Sequence, residues 1–471
     1  MNMTLRQKVG QLVMCSLDGN VVDDTMEAFL TEYCVGNIIH FGNNVTGFED
    51  SKALNAKLRS LVMKNCAGVP PIISVDHEGG RVMRFSQDFT WFPSQMAMSA
   101  ANDLALTEAI GEAMGTELRA AGFNLSISPV LDVVVHKNNA VLSVRCFGDD
   151  PQQIADQGIA LARGLQKAGV VACMKHFPGG GDTELDSHYF LPKVDKGRDV
   201  LDERELVPFK ALIDAKASDA MMTTHILYPQ LEEKDFPATM SETILEGILR
   251  KELGYDGLVM TDGIHMKAIA DHYGVERGCV EAIKAGCDMI CVGTGGSGVL
   301  ESQNSCCEAL YQAVVSGEIP MARLEEAVAR ILRVKEKFIM NQQECSAEFV
   351  AHQVLNETVC QKAATAQKPQ GNVLTGHVLC ASAEITELAF GLTHADPRRR
   401  SFGDMASEIL GCKHVSLAQV PQEEYDTLLL GCRWLTADCE EYKAMQQALA
   451  AGKRVAMVLT GSPFGAELLP S

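Results

Sequence analysis

The segment VVACMKHFPGGGDTELDSH, residues 170–188, decides the fold. It opens on an apolar run that closes at Lys175 and His176, then passes through three glycines into a polar stretch ending at His188. An apolar run without polar alternation is a strand covered on both faces, as in a parallel sheet flanked by helices. Seven more such runs occur: VGQLVMCSL (9–17), VGNIIHF (35–41), PIISVD (71–76), FNLSISPVLD (123–132), AMMTTHI (220–226), GLVMTD (257–262) and CDMICVG (287–293). Helical patterns lie between several of them, among them LTEAIGEAMGTELRAAG (106–122) and PQQIADQGIALARGLQKAG (151–169), each stopped by a glycine. Eight strands alternating with helices predict an α/β architecture, a (β/α)8 TIM barrel.

Several runs end on a polar or titratable residue: Asp76, Asp132, His176, His225 and Asp262. Barrel enzymes assemble their sites from side chains at the C-terminal ends of the strands, so these five are candidates for one shared site. After the barrel (1–340), the helical pattern MARLEEAVARILRVKEKF (321–338) leads into a helical and linker segment, 341–372, with a Pro/Gly-containing stretch QKPQGN (367–372). Three further strand-like runs, HVLCAS (377–382), YDTLLLGC (425–432) and RVAMVLTG (454–461), predict a small, abbreviated α/β sandwich domain over 373–471.

Composition narrows the function. The 471 residues are 46% hydrophobic and 22% charged, as in a globular protein with ample core. A net charge of -20 without a basic run argues against nucleic acid and anionic membranes as partners, and leaves a neutral small molecule open. The 16 cysteines are scattered with no C-x-x-C pair, no apolar run is long enough to span a bilayer, and the start lacks a signal-type apolar region. These features lead us to expect a cytoplasmic protein.

The polar loop 178–188 has three readings. As a phosphate cradle it lacks the Lys-Ser/Thr that follows a P-loop glycine. As a metal site it offers His176, Asp182, Asp186 and His188, at spacings that match no zinc arrangement. As a catalytic arm it offers Asp186-Ser187-His188, where a carboxylate two residues before an imidazole can fix its tautomer and raise its basicity. An imidazole titrates near 6.5, so it can act first as acid and then as base at neutral pH.

The segment KHFPGGGDTELDSHYFLP (175–192) resembles the signature of family 3 glycoside hydrolases, in the β-N-acetylglucosaminidase branch, whose pattern is K-H-F-P-G-H-G-D-T-x-x-D-S-H-x-x-L-P. Five other stretches agree in order: VDHEGGRVMRF (75–85), SPVLDV (128–133), SVRCFGDDP (143–151), PATMSETILEGILRKELGYDGLVMTDGIHMKAI (237–269) and AGCDMI (285–290). The resemblance covers roughly residues 5 to 340.

That resemblance implies Asp262 as nucleophile, His188 as general acid/base and Asp186 as its dyad partner. It implies Asp76, Arg84, Arg145, Lys175 and His176 as sugar-binding residues, with no cofactor and no metal. The implied activity is a retaining β-N-acetylglucosaminidase acting by double displacement on a small carbohydrate such as a cell-wall muropeptide. A phosphorylase is one alternative, because a neutral base repels phosphate less than a carboxylate would; a non-catalytic sugar-binding protein is another. Gly180 stands where the pattern has His, which leads us to expect a more mobile arm. His77 replaces a common Gln and Cys146 a common Ser. The stretch GTGGSG (293–298) also satisfies the dinucleotide fingerprint G-x-G-x-x-G, a lone match that would mark an oxidoreductase.

Overall fold

A computed structural model describes residues 2–85, 88–136, 139, 141–183, 185–295, 300–364, 374–382, 402–432, 435–460, 466, 468 and 469. The linker stretch 367–372 and residues 296–298 of the GTGGSG run lie outside them. The chain divides into two compact units, residues 1–364 and 365–471.

The first unit contains eight barrel strands. These are β1 (Val13–Cys15), β2 (Asn37–His40), β3 (Ile72–Val75), β4 (Leu125–Ser126), β5 (Val171–Phe177), β6 (Ala220–Thr223), β7 (Leu258–Met260) and β8 (Ile290–Cys291). Their order in the sheet is β8-β1-β2-β3-β4-β5-β6-β7, with each neighbouring pair parallel. A parallel bridge between Met260 and Met289 joins the two ends, and Thr261 N donates to the Met289 carbonyl at 3.0 Å. The predicted barrel is therefore what forms. Its strands are buried along their length, which is why their sequences are apolar without alternation.

The helices follow their sequence signals. Asp150 caps the helix Pro151–Lys167 by accepting from Gln152 N and Gln153 N, and Pro151 occupies its first turn. The helix Met321–Phe338 spans the predicted stretch. Several strand forecasts were too long: of 123–132 only Leu125–Ser126 is strand, and of 287–293 only Ile290–Cys291. Residues 9–11 of the first run close a helix, Leu5–Gln11, whose start Thr4 and Gln7 cap reciprocally, and the strand begins only at Val13.

The barrel is stitched where its beginning meets its end. Lys335, fully buried on the helix Met321–Phe338, donates to Gln11 Oε1 at 2.7 Å and to the Gly36 carbonyl at 3.0 Å. Burial pulls its pKa down to about 7. Arg6 pairs with Glu308 at 3.2 Å on the same seam.

In the second unit a parallel four-stranded sheet runs β10-β9-β11-β12, with β9 (Val378–Ser382), β10 (Lys413–Ser416), β11 (Thr427–Cys432) and β12 (Arg454–Leu459). Its core gathers Leu379, Leu428, Leu430 and Met445. No helix among the described residues is long and apolar enough to cross a membrane.

Candidate active site

The floor of the site is a buried ion network built on the ends of β3 and β5. Lys175, 2% exposed, sends its ammonium to Asp76 Oδ1 at 2.9 Å and to Glu78 Oε1 at 2.5 Å. Arg145 grips Glu78 with two bonds of 2.8 Å, the paired geometry that a guanidinium and a carboxylate share. Arg84 reaches Asp76 Oδ2 at 2.5 Å. Burial alone would raise both carboxyl pKa values. The Lys175 and Arg84 charges instead hold Asp76 far below the usual range, and Arg145 and Lys175 bring Glu78 down to about 2. Three cations thus face two carboxylates, which keeps both carboxyls ionised.

Asp262 stands two residues past β7. Its Oδ1 accepts from Gly263 N at 2.7 Å. Burial would again neutralise it, but His176, His225 and His188, with the Gly263 amide, outweigh that and lower its pKa. The result is a carboxylate that stays ionised. Two of these rings are oriented by their own partners. His176 Nδ1 lies 2.6 Å from Asp132 Oδ2, and His225 Nε2 donates to the Gly263 carbonyl at 3.1 Å.

The arm after β5 has a fixed base and an open tip. At the base, Gly180 N donates to Asp132 Oδ1 at 2.5 Å, and Tyr228 OH donates to the Gly179 carbonyl at 2.7 Å. Asp182 is held between His136 Nε2 at 2.9 Å and Arg204 at 2.6 Å, while Asn139 donates to the Thr183 carbonyl at 2.8 Å. Gly181 is required by close approach: a side chain there would overlap the Val133 carbonyl oxygen. At Gly180, a Cβ would already meet Ile226 at 3.2 Å and Asp132 at 3.4 Å. Neighbouring side chains fill the space beside it, and the base is anchored without a ring at this position.

At the tip, His188 is 49% exposed and Asp186 12%. His188 Nδ1 lies 2.8 Å from Asp186 Oδ1, and the His188 amide donates to the same oxygen at 2.9 Å. Burial disfavours the charged ring, but the bond to Asp186 and the charges of Asp262 and Asp186 prevail, so the His188 pKa is raised. Two backbone bonds rest the tip on the segment that follows Asp262: Lys267 N donates to the His188 carbonyl at 3.4 Å, and Ala268 N to the Ser187 carbonyl at 3.3 Å.

All eight residues singled out in the sequence therefore lie at the C-terminal end of one barrel. Asp76, Arg84, Arg145 and Lys175 form one network, His188 pairs with Asp186, and His176 and His188 act on Asp262. The four possible metal ligands do not cluster among the described residues, because His176 is engaged by Asp132 and Asp182 by His136 and Arg204. Sequence reading missed Glu78 as the hub of the floor. It also left Asp132 and His225 as strand ends without partners.

Residues 4–334 match the family description "Glycosyl hydrolase family 3 N terminal domain". A β-hexosaminidase A from Pseudoalteromonas piscicida is 32% identical over 329 residues, 66% of this chain and 55% of that protein, so the chain spans about half that relative's length. A family 3 β-N-acetylglucosaminidase from Paenibacillus sp. str. FPU-7 superimposes with a TM-score of 0.90 and 32% identity, covering 100% of this chain and 92% of that one. NagZ from Neisseria gonorrhoeae, solved in complex with N-trifluoroacetyl-D-glucosamine, gives 0.62 and 29%, covering 75% and 98%. With a parallel eight-stranded barrel, a family match over most of its length and these relatives, the chain belongs to glycosyl hydrolase family 3.

Proposed function

We propose that the protein is a retaining β-N-acetylglucosaminidase that removes a terminal β-linked N-acetylglucosamine by double displacement. The observation that carries the reading is the meeting of an ionised Asp262 with the His188–Asp186 pair above a charged, buried floor. The names of the relatives supply the substrate class. In this reading Asp76, Arg84, Arg145, Lys175 and His176 bind the sugar; the floor network orients its hydroxyls, and Asp262 attacks the anomeric carbon. His188 gives its proton to the leaving oxygen, so that the departing group leaves as a neutral alcohol.

The electrostatics suit both halves of the cycle. While Asp262 is free, its charge helps to keep His188 protonated. Once Asp262 is esterified by the sugar that charge is gone, and the ring, having lost its proton, is ready to take one from water. Asp186 holds the same Nδ1 throughout, leaving Nε2 to do the chemistry.

The decisive experiment uses His188→Ala with an activated aryl β-N-acetylglucosaminide. The good leaving group needs no acid, while the missing base slows release, so a sugar ester should accumulate on the peptide that carries Asp262 and be visible by mass spectrometry. Absence of the ester, or an inverted product, would overturn the double displacement. A second reading, phosphorolysis, is favoured by the neutral base, which repels phosphate less than a carboxylate would. Sugar 1-phosphate formation as a function of phosphate concentration separates the two. All 16 cysteines are free, which supports a reducing compartment such as the cytoplasm.

A further inference from the structure

The floor of charged groups suits the hydroxyls and amide of the sugar being transferred, whereas the arm tip around His188 carries large exposed side chains: Leu185 is 52% exposed, Tyr189 50% and Phe190 55%. Exposed residues of this size, gathered within six positions of one loop, are what a binding surface presents. The Lys267 ammonium sits 5.8 Å from the centre of the Tyr189 ring, and the backbone bonds from residues 267 and 268 hold the same tip. A cation over an aromatic face orients the ring.

The geometry of the proposed reaction fixes what must lie there. The oxygen that His188 protonates joins the anomeric carbon to the leaving group. With the transferred sugar in the buried floor, the leaving group extends past His188 toward solvent, where Tyr189 follows His188 directly in sequence. We propose that Tyr189, oriented by Lys267 and flanked by Phe190, is the platform on which a leaving sugar stacks through its apolar C–H face. The occupant is a pyranose ring, and the surface is continuous with the site already described. This inference rests on the glycosidase reading and adds to it a preference for saccharide leaving groups. Binding energy gathered on the leaving sugar is remote from the reacting atoms and can be used to orient them.

The test compares two substrates that need the same acid help: the β-1,4-linked disaccharide of N-acetylglucosamine, and methyl β-N-acetylglucosaminide, whose leaving group has no ring to stack. For Tyr189→Ala, kcat/KM on the disaccharide should fall about ten-fold while the methyl glycoside stays within about two-fold. Tyr189→Phe, which keeps the ring, should remain within about two-fold on both, and Lys267→Met should show a smaller selective loss than Tyr189→Ala. Equal losses on both substrates would reduce Tyr189 to a structural part of the arm, and an unchanged disaccharide rate would remove the platform; either overturns the proposal. Wild-type protein that cleaves the methyl glycoside but not the disaccharide would remove the subsite and leave the glycosidase reading intact. Wild-type protein that cleaves neither would end both.

Discussion

Asp186 holds His188 twice through a single oxygen, once at the ring and once at the backbone amide, at 2.8 and 2.9 Å. The ring bond stabilises the protonated imidazole, and the amide bond sets its direction. Asp186→Asn keeps the shape and removes the charge, so the His188 pKa should fall. Since the acid must be protonated to work, activity is lost as pH rises through that pKa. The alkaline limb of the kcat/KM profile should therefore move to lower pH in the variant. A limb that stays in place would show that another group carries the proton.

The leaving group reports on the same proton. For His188→Ala, a poor alkyl leaving group should lose roughly 10²–10⁴ in kcat/KM, while an activated aryl group loses far less. Rates across a series of aryl glycosides of graded leaving-group pKa measure this directly, and the variant should show the steeper dependence.

Asp262→Asn should abolish turnover on every substrate, by about four orders of magnitude or more, because it removes the attacking atom's charge. Sugar binding should survive, since the floor network does not use Asp262. Titration calorimetry with N-acetylglucosamine separates lost chemistry from lost binding.

The floor also carries stability. Lys175→Met leaves Asp76 and Glu78 buried without their shared cation, and should destabilise the barrel by about 3–5 kcal/mol in urea unfolding. Both carboxyls titrate below their ordinary values of about 4, so their contribution is full above that pH and declines below it, the Glu78 share being lost as pH falls through about 2 and the Asp76 share at still lower pH. The urea midpoint of the wild type should fall accordingly between neutral and acid pH, and Glu78→Gln should flatten part of that slope.

The base of the arm gives a steric prediction. Gly181→Ala forces a methyl into the Val133 carbonyl and should cost about 1–3 kcal/mol of stability. Its kinetic loss should be greatest on poor leaving groups, because displacing the base moves His188 away from the bond it serves.

The barrel was legible because a strand covered on both faces leaves an unbroken apolar run, and eight of these alternate with capped helices. Boundaries were less legible. At residues 9–11 a helix begun by a capping pair wins over an apolar run, and in β10 the sequence KHVS, polar and at the sheet edge, gives no pattern to see. The site was legible where a motif named its residues. Glu78 was not: it lies in a two-stranded hairpin, His77–Gly79 with Val82–Met83, whose register brings an ordinary acidic residue under Lys175. No periodicity marks such a position. The contacts at the arm's base escaped the sequence for a related reason, because the groups that make them, Asp132, Tyr228 and Arg204, come from distant parts of the chain.

The seam at Lys335 bears on how the molecule is made. The residues it ties together, Gln11 and Gly36, leave the ribosome some three hundred positions earlier. The eighth strand, Ile290–Cys291, pairs with β1, so until it emerges the first strand waits with an open edge, the condition in which a nascent chain is most open to aggregation. Lys335 follows that strand by more than forty residues, so its tie to Gln11 and Gly36 locks a sheet whose eight strands have all been made.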